Sequence, residues 1–180
     1  MVKRDLYGYI GLLVLMILAL VALRLWVFEP VTINEQMANQ YVTEKDLILA
    51  DRNEEIQYGD LVLYTVDKKD YVGRVIAMEG DSVTYLYDVL YRNNEIIPET
   101  YLEMKGQEEY YTEDMTIATL TEDAHTVVPK DSFLILNDKR TDSRDSRQFG
   151  LIAKEQIIGP LTFRLLPFNQ FGFIDNGLAQ

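Results

Sequence analysis

From Leu6 to Phe28 the chain reads LYGYIGLLVLMILALVALRLWVF, with Arg24 as its only charge. A helix over a run of this length spans roughly 30 Å of hydrocarbon. A helix that is apolar on every side needs a membrane or a large core around it. Lys3 and Arg4 precede the run, so the positive-inside rule places the N-terminus in the cytoplasm and everything from Glu29 onward outside. Arg24 lies about one turn from the far end, within reach of the outer interface beside Trp26. A cleaved signal peptide is the competing reading. The run is long for the apolar part of such a peptide, and no clean A-x-A site follows it. The chain therefore divides into residues 1–28, a cytoplasmic tip and single-pass plasma-membrane anchor, and residues 29–180, an extracytoplasmic domain.

This division changes the meaning of the net charge of −12. Lys3, Arg4 and Arg24 against Asp5 give the anchor +2, which leaves −14 on the exported domain. Half of that lies in 99–123, where eight acidic residues face Lys105 alone. The stretch reads as an acidic insertion or excursion, either a solvated loop or a docking surface for a basic partner. Such acidity argues against nucleic acid as a partner, because phosphate is repelled. The absence of cysteine excludes a disulfide framework, a thiol nucleophile and a thiolate metal site. His125 is the only histidine, so no histidine-bound metal is expected, and no cofactor.

The exported domain reads as mainly β. Short apolar runs beside turn residues mark strands at Asp46–Leu49, Asp60–Thr65, Lys69–Met78, Ser82–Tyr87, Val89–Arg92 and Glu95–Ile97. Asn93-Asn94 is a hairpin signal between the last two. Further strands are expected at His125–Val128, Phe133–Leu136 and Ile157–Phe163. Their spacing predicts an antiparallel sheet or sandwich rather than βαβ units. Tyr101–Leu120 fits this core poorly. Leu165–Phe173, with Trp26, Val27 and Phe28, is either an apolar surface for the outer leaflet or the end of the core.

Four segments carry a family resemblance. VTINEQMANQY (Val31–Tyr41) follows the anchor, where the type I signal peptidases have a run ending S-M-x-P-T-L. YGDLVLY (Tyr58–Tyr64) resembles their R-G-D-I-V-V-F, and YVGRVIAMEGD (Tyr71–Asp81) resembles Y-I-K-R-V-I-G-x-P-G-D. LNDKRTDSRDSRQFG (Leu136–Gly150) resembles L-G-D-N-R-x-x-S-x-D-S-R-x-F-G, and the chain ends similarly with IIGPLTFRLLPF (Ile157–Phe168). The resemblance implies a signal-peptidase-like antiparallel β domain on an N-terminal transmembrane helix.

The family's chemistry uses a serine activated by a lysine whose ammonium is disfavoured by burial. Placing Met37 on the motif's methionine puts Gln36 at the serine. Placing Arg74-Val75-Ile76 on R-V-I puts Gly73 at the lysine. Neither a carboxamide nor a glycine performs those roles, so no catalytic dyad is expected. No serine precedes Ser82, and Lys69 lies about 13 Å up an extended strand from Gly73. Ser143 matches a serine that in the family contacts the lysine; here it is a vestige, a groove-lining group or an ordinary loop serine. Arg74, Asp138, Arg140, Asp145 and Arg147 match a charged cluster that supports the site.

An extended peptide can add to a strand edge without a dyad. Gln36, Met37, Gly73 and Ser143 are the expected groove, with Gly73 leaving space where a lysine stem would lie. The resemblance extends to the degenerate signal-peptidase-like, SipA-type proteins of Gram-positive pilus gene clusters. It implies a membrane-anchored, chaperone-like accessory factor that binds a pilus subunit or extended peptide segment, together with a sortase. The alternative is an active membrane-bound signal peptidase with an altered nucleophile.

Overall fold

The computed structural model describes residues 2–102 and 112–178. The apolar run forms α1 (Val2–Trp26), and its stretch Tyr7–Arg24 is long and apolar enough to cross a membrane, with none of it buried against the rest of the chain. Only Val27 separates α1 from β1 (Phe28–Thr32), so the helix passes into the sheet without a linker. β2 (Leu47–Asp51), β3 (Leu61–Val66) and β4 (Lys69–Ala77) follow. Next come β5 (Val83–Leu86), β6 (Val89–Arg92), β7 (Glu95–Ile97) and β8 (Met115–Thr116), which runs into the single turn α2 (Ile117–Leu120). The chain continues through β9 (Ser132–Leu136), α3 (Ser146–Phe149), β10 (Ile152–Ala153), β11 (Ile157–Leu166) and β12 (Gly172–Phe173).

These strands build two antiparallel sheets. The larger has the order β1-β2-β11-β3-β4-β9-β10, with β12 also on β11; the smaller is β7-β6-β5-β8. β11 holds the larger sheet together, pairing through Ile157–Pro160 with β3 and through Leu161–Leu166 with β2. It bends through register shifts at Gly159 and beyond. A Cβ on Gly159 would fall 2.0 Å from the Asp51 carbonyl oxygen, so only glycine permits this crossing.

Three hairpins turn on residue pairs with positive φ: Asp67-Lys68, Tyr87-Asp88 and the expected Asn93-Asn94. Their left-handed backbone matches the twist of the flanking strands. Buried side chains form three clusters, around Ile33, Met37, Leu63 and Val72, around Tyr85, Ile117 and Leu134, and around Val62, Tyr64 and Ile135.

Two expectations need correction, and one open alternative is decided. His125–Val128 is not a strand; Val128 is instead tied to the Gly80-Asp81 turn, donating to the Asp81 carbonyl and accepting from Gly80 N–H. The flanks of Tyr101–Leu120 belong to the core, since Tyr101, Thr112 and Ile117 are buried. The middle of that stretch, 103–111, lies outside the described residues. Finally, the late phenylalanines do not close the core. Phe163 packs edge-on against Phe171 and Phe173, yet Phe173 and Phe168 remain more than 80% exposed, as does most of Trp26.

Candidate functional site

Gln36 sits on a tight turn after β1. The Asn34 side-chain oxygen accepts from the N–H groups of Gln36 at 2.9 Å and Met37 at 3.1 Å, and the Asn34 carbonyl accepts from Met37 and Ala38. This is the local geometry that asparagine favours. It turns Met37 into the core and leaves Gln36 exposed.

The opposite wall comes from β4. Its first half, Lys69–Gly73, pairs with β3, whereas β9 takes up pairing only from Arg74↔Leu136 onward. β1 ends the sheet order and pairs only with β2. Among the described residues, both edges are therefore open. The sheet coils so that they face each other across a cavity of about 450 Å³, lined by Thr32, Gln36 and Met37 on one side and Lys69, Asp70 and Tyr71 on the other. A second cavity of about 480 Å³ lies between β6, β7 and the loop after β9, and reaches neither Gln36 nor Gly73.

Gly73 does not line the groove, nor does Ser143. Nor does Gly73 leave free space. A Cβ there would lie 2.6 Å from Ile135 Cγ2, 3.2 Å from the Leu136 carbonyl oxygen and 3.4 Å from Tyr64 Cε1. The direction in which a side chain would leave Gly73 is thus occupied by the third core cluster. Tyr64 is fully buried, and its hydroxyl has no hydrogen-bond partner among the described residues. Burial and the neighbouring Asp145 carboxylate push that hydroxyl's pKa well up, so it stays neutral. Ser143 is exposed, and its carbonyl accepts from Asp145 N–H at 2.8 Å.

The expected charged residues fall into three distinct pairs. Arg74 is fully buried and grips Asp138 with two hydrogen bonds of 2.7 Å, while its remaining nitrogen donates to the Gly59 and Asn176 carbonyls. The Tyr101 ring stacks on the guanidinium, 4.0 Å from its centroid. Arg140 pairs with Glu99, a partner that the sequence did not reveal, and donates to Tyr85 and Thr112. Burial alone would lower the Arg140 pKa, but Tyr85 and Glu99 outweigh it and raise the pKa, so the charge is retained. Asp145 caps α3, accepts from Asn137 N–H at 2.8 Å and pairs with Arg147. Ser146 Oγ, accepting from Ile135 N–H at 3.0 Å, ties this loop to the residue that blocks Gly73.

The groove wall Lys69–Tyr71 was legible only in part. Strand alternation puts Lys69 on the face of Gly73, but does not foretell the coiling that opens the groove beside it. Among the described residues no three His, Asp or Glu side chains converge as metal ligands. The groove presents a carboxamide, a hydroxyl and an ammonium beside two open strand edges, an arrangement suited to holding a peptide backbone.

Comparison with known proteins adds the following. The family model described as "Signal peptidase, peptidase S26" matches residues 6–166. The chain is 38% identical over 124 residues to signal peptidase IB of Staphylococcus aureus strain MRSA252; the match covers 66% of this chain and spans 65% of that protein's length. It is 33% identical over 159 residues to signal peptidase I of Bacillus caldolyticus, covering 84% of this chain and 86% of that protein. The crystal structure of a signal peptidase I from Enterococcus faecalis V583 superposes with a TM-score of 0.56 at 30% identity, over 61% of this chain and 98% of that one.

Proposed function

Because the chain belongs to the signal peptidase family, we propose that it is a non-catalytic member that binds an extended peptide or subunit segment without cutting it. The observation that carries this reading is at the dyad positions. Acyl transfer needs a nucleophile and a base in contact. Gln36 offers a carboxamide, and the side-chain direction at Gly73 is filled by Ile135. The two open strand edges around the groove persist regardless, and strand addition requires only their backbone donors and acceptors.

The protein sits in the plasma membrane as a single-pass chain, its N-terminus cytoplasmic and its β domain outside. The exposed rings of Trp26, Phe168 and Phe173 favour contact with the outer leaflet. By its resemblance to the SipA-type proteins, it acts there as an accessory, chaperone-like factor in pilus assembly that binds a pilus subunit, together with a sortase.

Full-length chain in detergent, incubated with a preprotein, is expected to leave the substrate intact. A crosslinker placed at position 36 in living cells is expected to capture a pilus subunit, and deletion of the chain is expected to abolish pilus polymer. Cleavage by the wild-type protein would replace this reading with an active signal peptidase using an altered nucleophile.

A further inference from the structure

Most polar groups around the groove are already committed. Asn34 is spent on its own turn. Asp70 accepts from the Thr65 hydroxyl at 2.7 Å. Glu29 is held by Arg24 and Arg52. Three side chains have no partner among the described residues: the Thr32 hydroxyl, the Gln36 carboxamide and the Lys69 ammonium, all lining the same cavity. The lip therefore offers the unpaired Lys69 ammonium, beside an Asp70 carboxylate turned towards the Thr65 hydroxyl, in a domain whose overall charge is −14.

We infer that the groove selects an extended peptide segment bearing an acidic side chain, with Lys69 pairing to that carboxylate and Gln36 and Thr32 hydrogen-bonding the neighbouring backbone. This rests on the peptide-binding reading above and names its ligand class. Small apolar side chains gain little here, since the wall beside them carries Thr32, Gln36, Lys69 and Asp70 and the space at Gly73 is closed. A basic peptide would meet Lys69 as a like charge. The domain's long-range repulsion of an acidic peptide is screened beyond about 8 Å at physiological salt, whereas the contact pair acts inside that distance.

The test uses the full-length chain in detergent micelles and short threonine-rich peptides, dye-labelled and blocked at both ends, that differ only in a central Glu, Ala or Lys. Fluorescence anisotropy gives each Kd. The Glu peptide is expected to bind roughly two- to fivefold tighter than the Ala peptide, a preference that shrinks at high salt. K69Q should equalise the two, and K69E should reverse the order towards the Lys peptide. Equal or tighter binding of the Ala peptide, or a preference unchanged by K69E, overturns the acidic selectivity while leaving peptide binding standing. Failure of all three peptides to bind overturns both readings.

Discussion

Gly73 and Arg74 are neighbours on β4, and they show two kinds of position within one site. Arg74 points between the sheets, where Asp138, two backbone carbonyls and the Tyr101 ring enclose a fully buried guanidinium. Gly73 points the other way, towards Ile135 and Tyr64. The first is held in place by the fold, because removing either partner strands a buried charge. The second carries no side chain, and Ile135 lies where one would begin. The same contrast separates Asp145, which caps α3 and holds Asn137 and Arg147, from Gln36, which lies exposed on a turn maintained by Asn34. The charged support is thus held by the fold itself, whatever residues stand at 36 and 73.

The contrast is broken most directly through stability. Arg74→Ala or Asp138→Ala is expected to lower the unfolding free energy by about 3–5 kcal/mol in urea titrations. Arg74→Lys should recover little of this, because an ammonium cannot reproduce the two-pronged grip on Asp138. Gln36→Ser should stay within about 0.5 kcal/mol of wild type; a loss as large as that of Arg74→Ala would dissolve the distinction between the two positions.

Gly73 gives the next largest effect. Gly73→Ala forces a methyl against Ile135 and is expected to cost about 1–3 kcal/mol by overpacking. Ile135→Ala alone opens a cavity costing about 2–5 kcal/mol. In the double variant each change relieves the other, so its loss should fall clearly short of the sum of the singles. By the same geometry, Gln36→Ser with Gly73→Lys is expected to restore no preprotein cleavage while Ile135 remains. Additive losses, or cleavage by that pair with Ile135 intact, would mean that β9 yields to a side chain at 73.

Ile135 marks the limit of what could be read from the chain alone. The anchor, the hairpin at Asn93-Asn94, the β4 run and the identities at Gln36 and Gly73 are local patterns, and local patterns survive in sequence. The turns at Asp67-Lys68 and Tyr87-Asp88 were harder, because neither contains the glycine that advertises such a bend. Contacts between distant residues left no trace: Arg140 with Glu99 is 41 positions apart, and the space at Gly73 is governed by a residue 62 positions away. A cavity is a property of three-dimensional packing, so an absent side chain was read as an open space when the core had already closed over it.

The smallest expected effect lies at the junction of α1 and β1, an exposed counterpart to the buried Arg74–Asp138 pair. Arg24 holds Glu29 with two bonds of 2.8 Å, Arg52 adds a third contact, and Asn53 donates to the Trp26 carbonyl at 3.1 Å. Partial burial pushes the Glu29 pKa up, but the two arginines outweigh it and hold the carboxyl below its ordinary value. A carboxylate lowered on folding stabilises the native junction above its unfolded pKa of about 4.3 and loses that contribution as pH falls through the lowered value. Trp26, the only tryptophan, reports on this directly. Its emission should shift in acid below pH ~4, and Glu29→Gln should remove the step. Because the cluster is open to solvent, the associated stability is expected to be only about 0.2–1 kcal/mol. Raised salt should move the transition towards the ordinary carboxylate range. The Arg74–Asp138 pair, screened from solvent by the sheets, should be insensitive to the same salt, and an equal response at both would erase the difference between a junction held at the surface and a support held in the core.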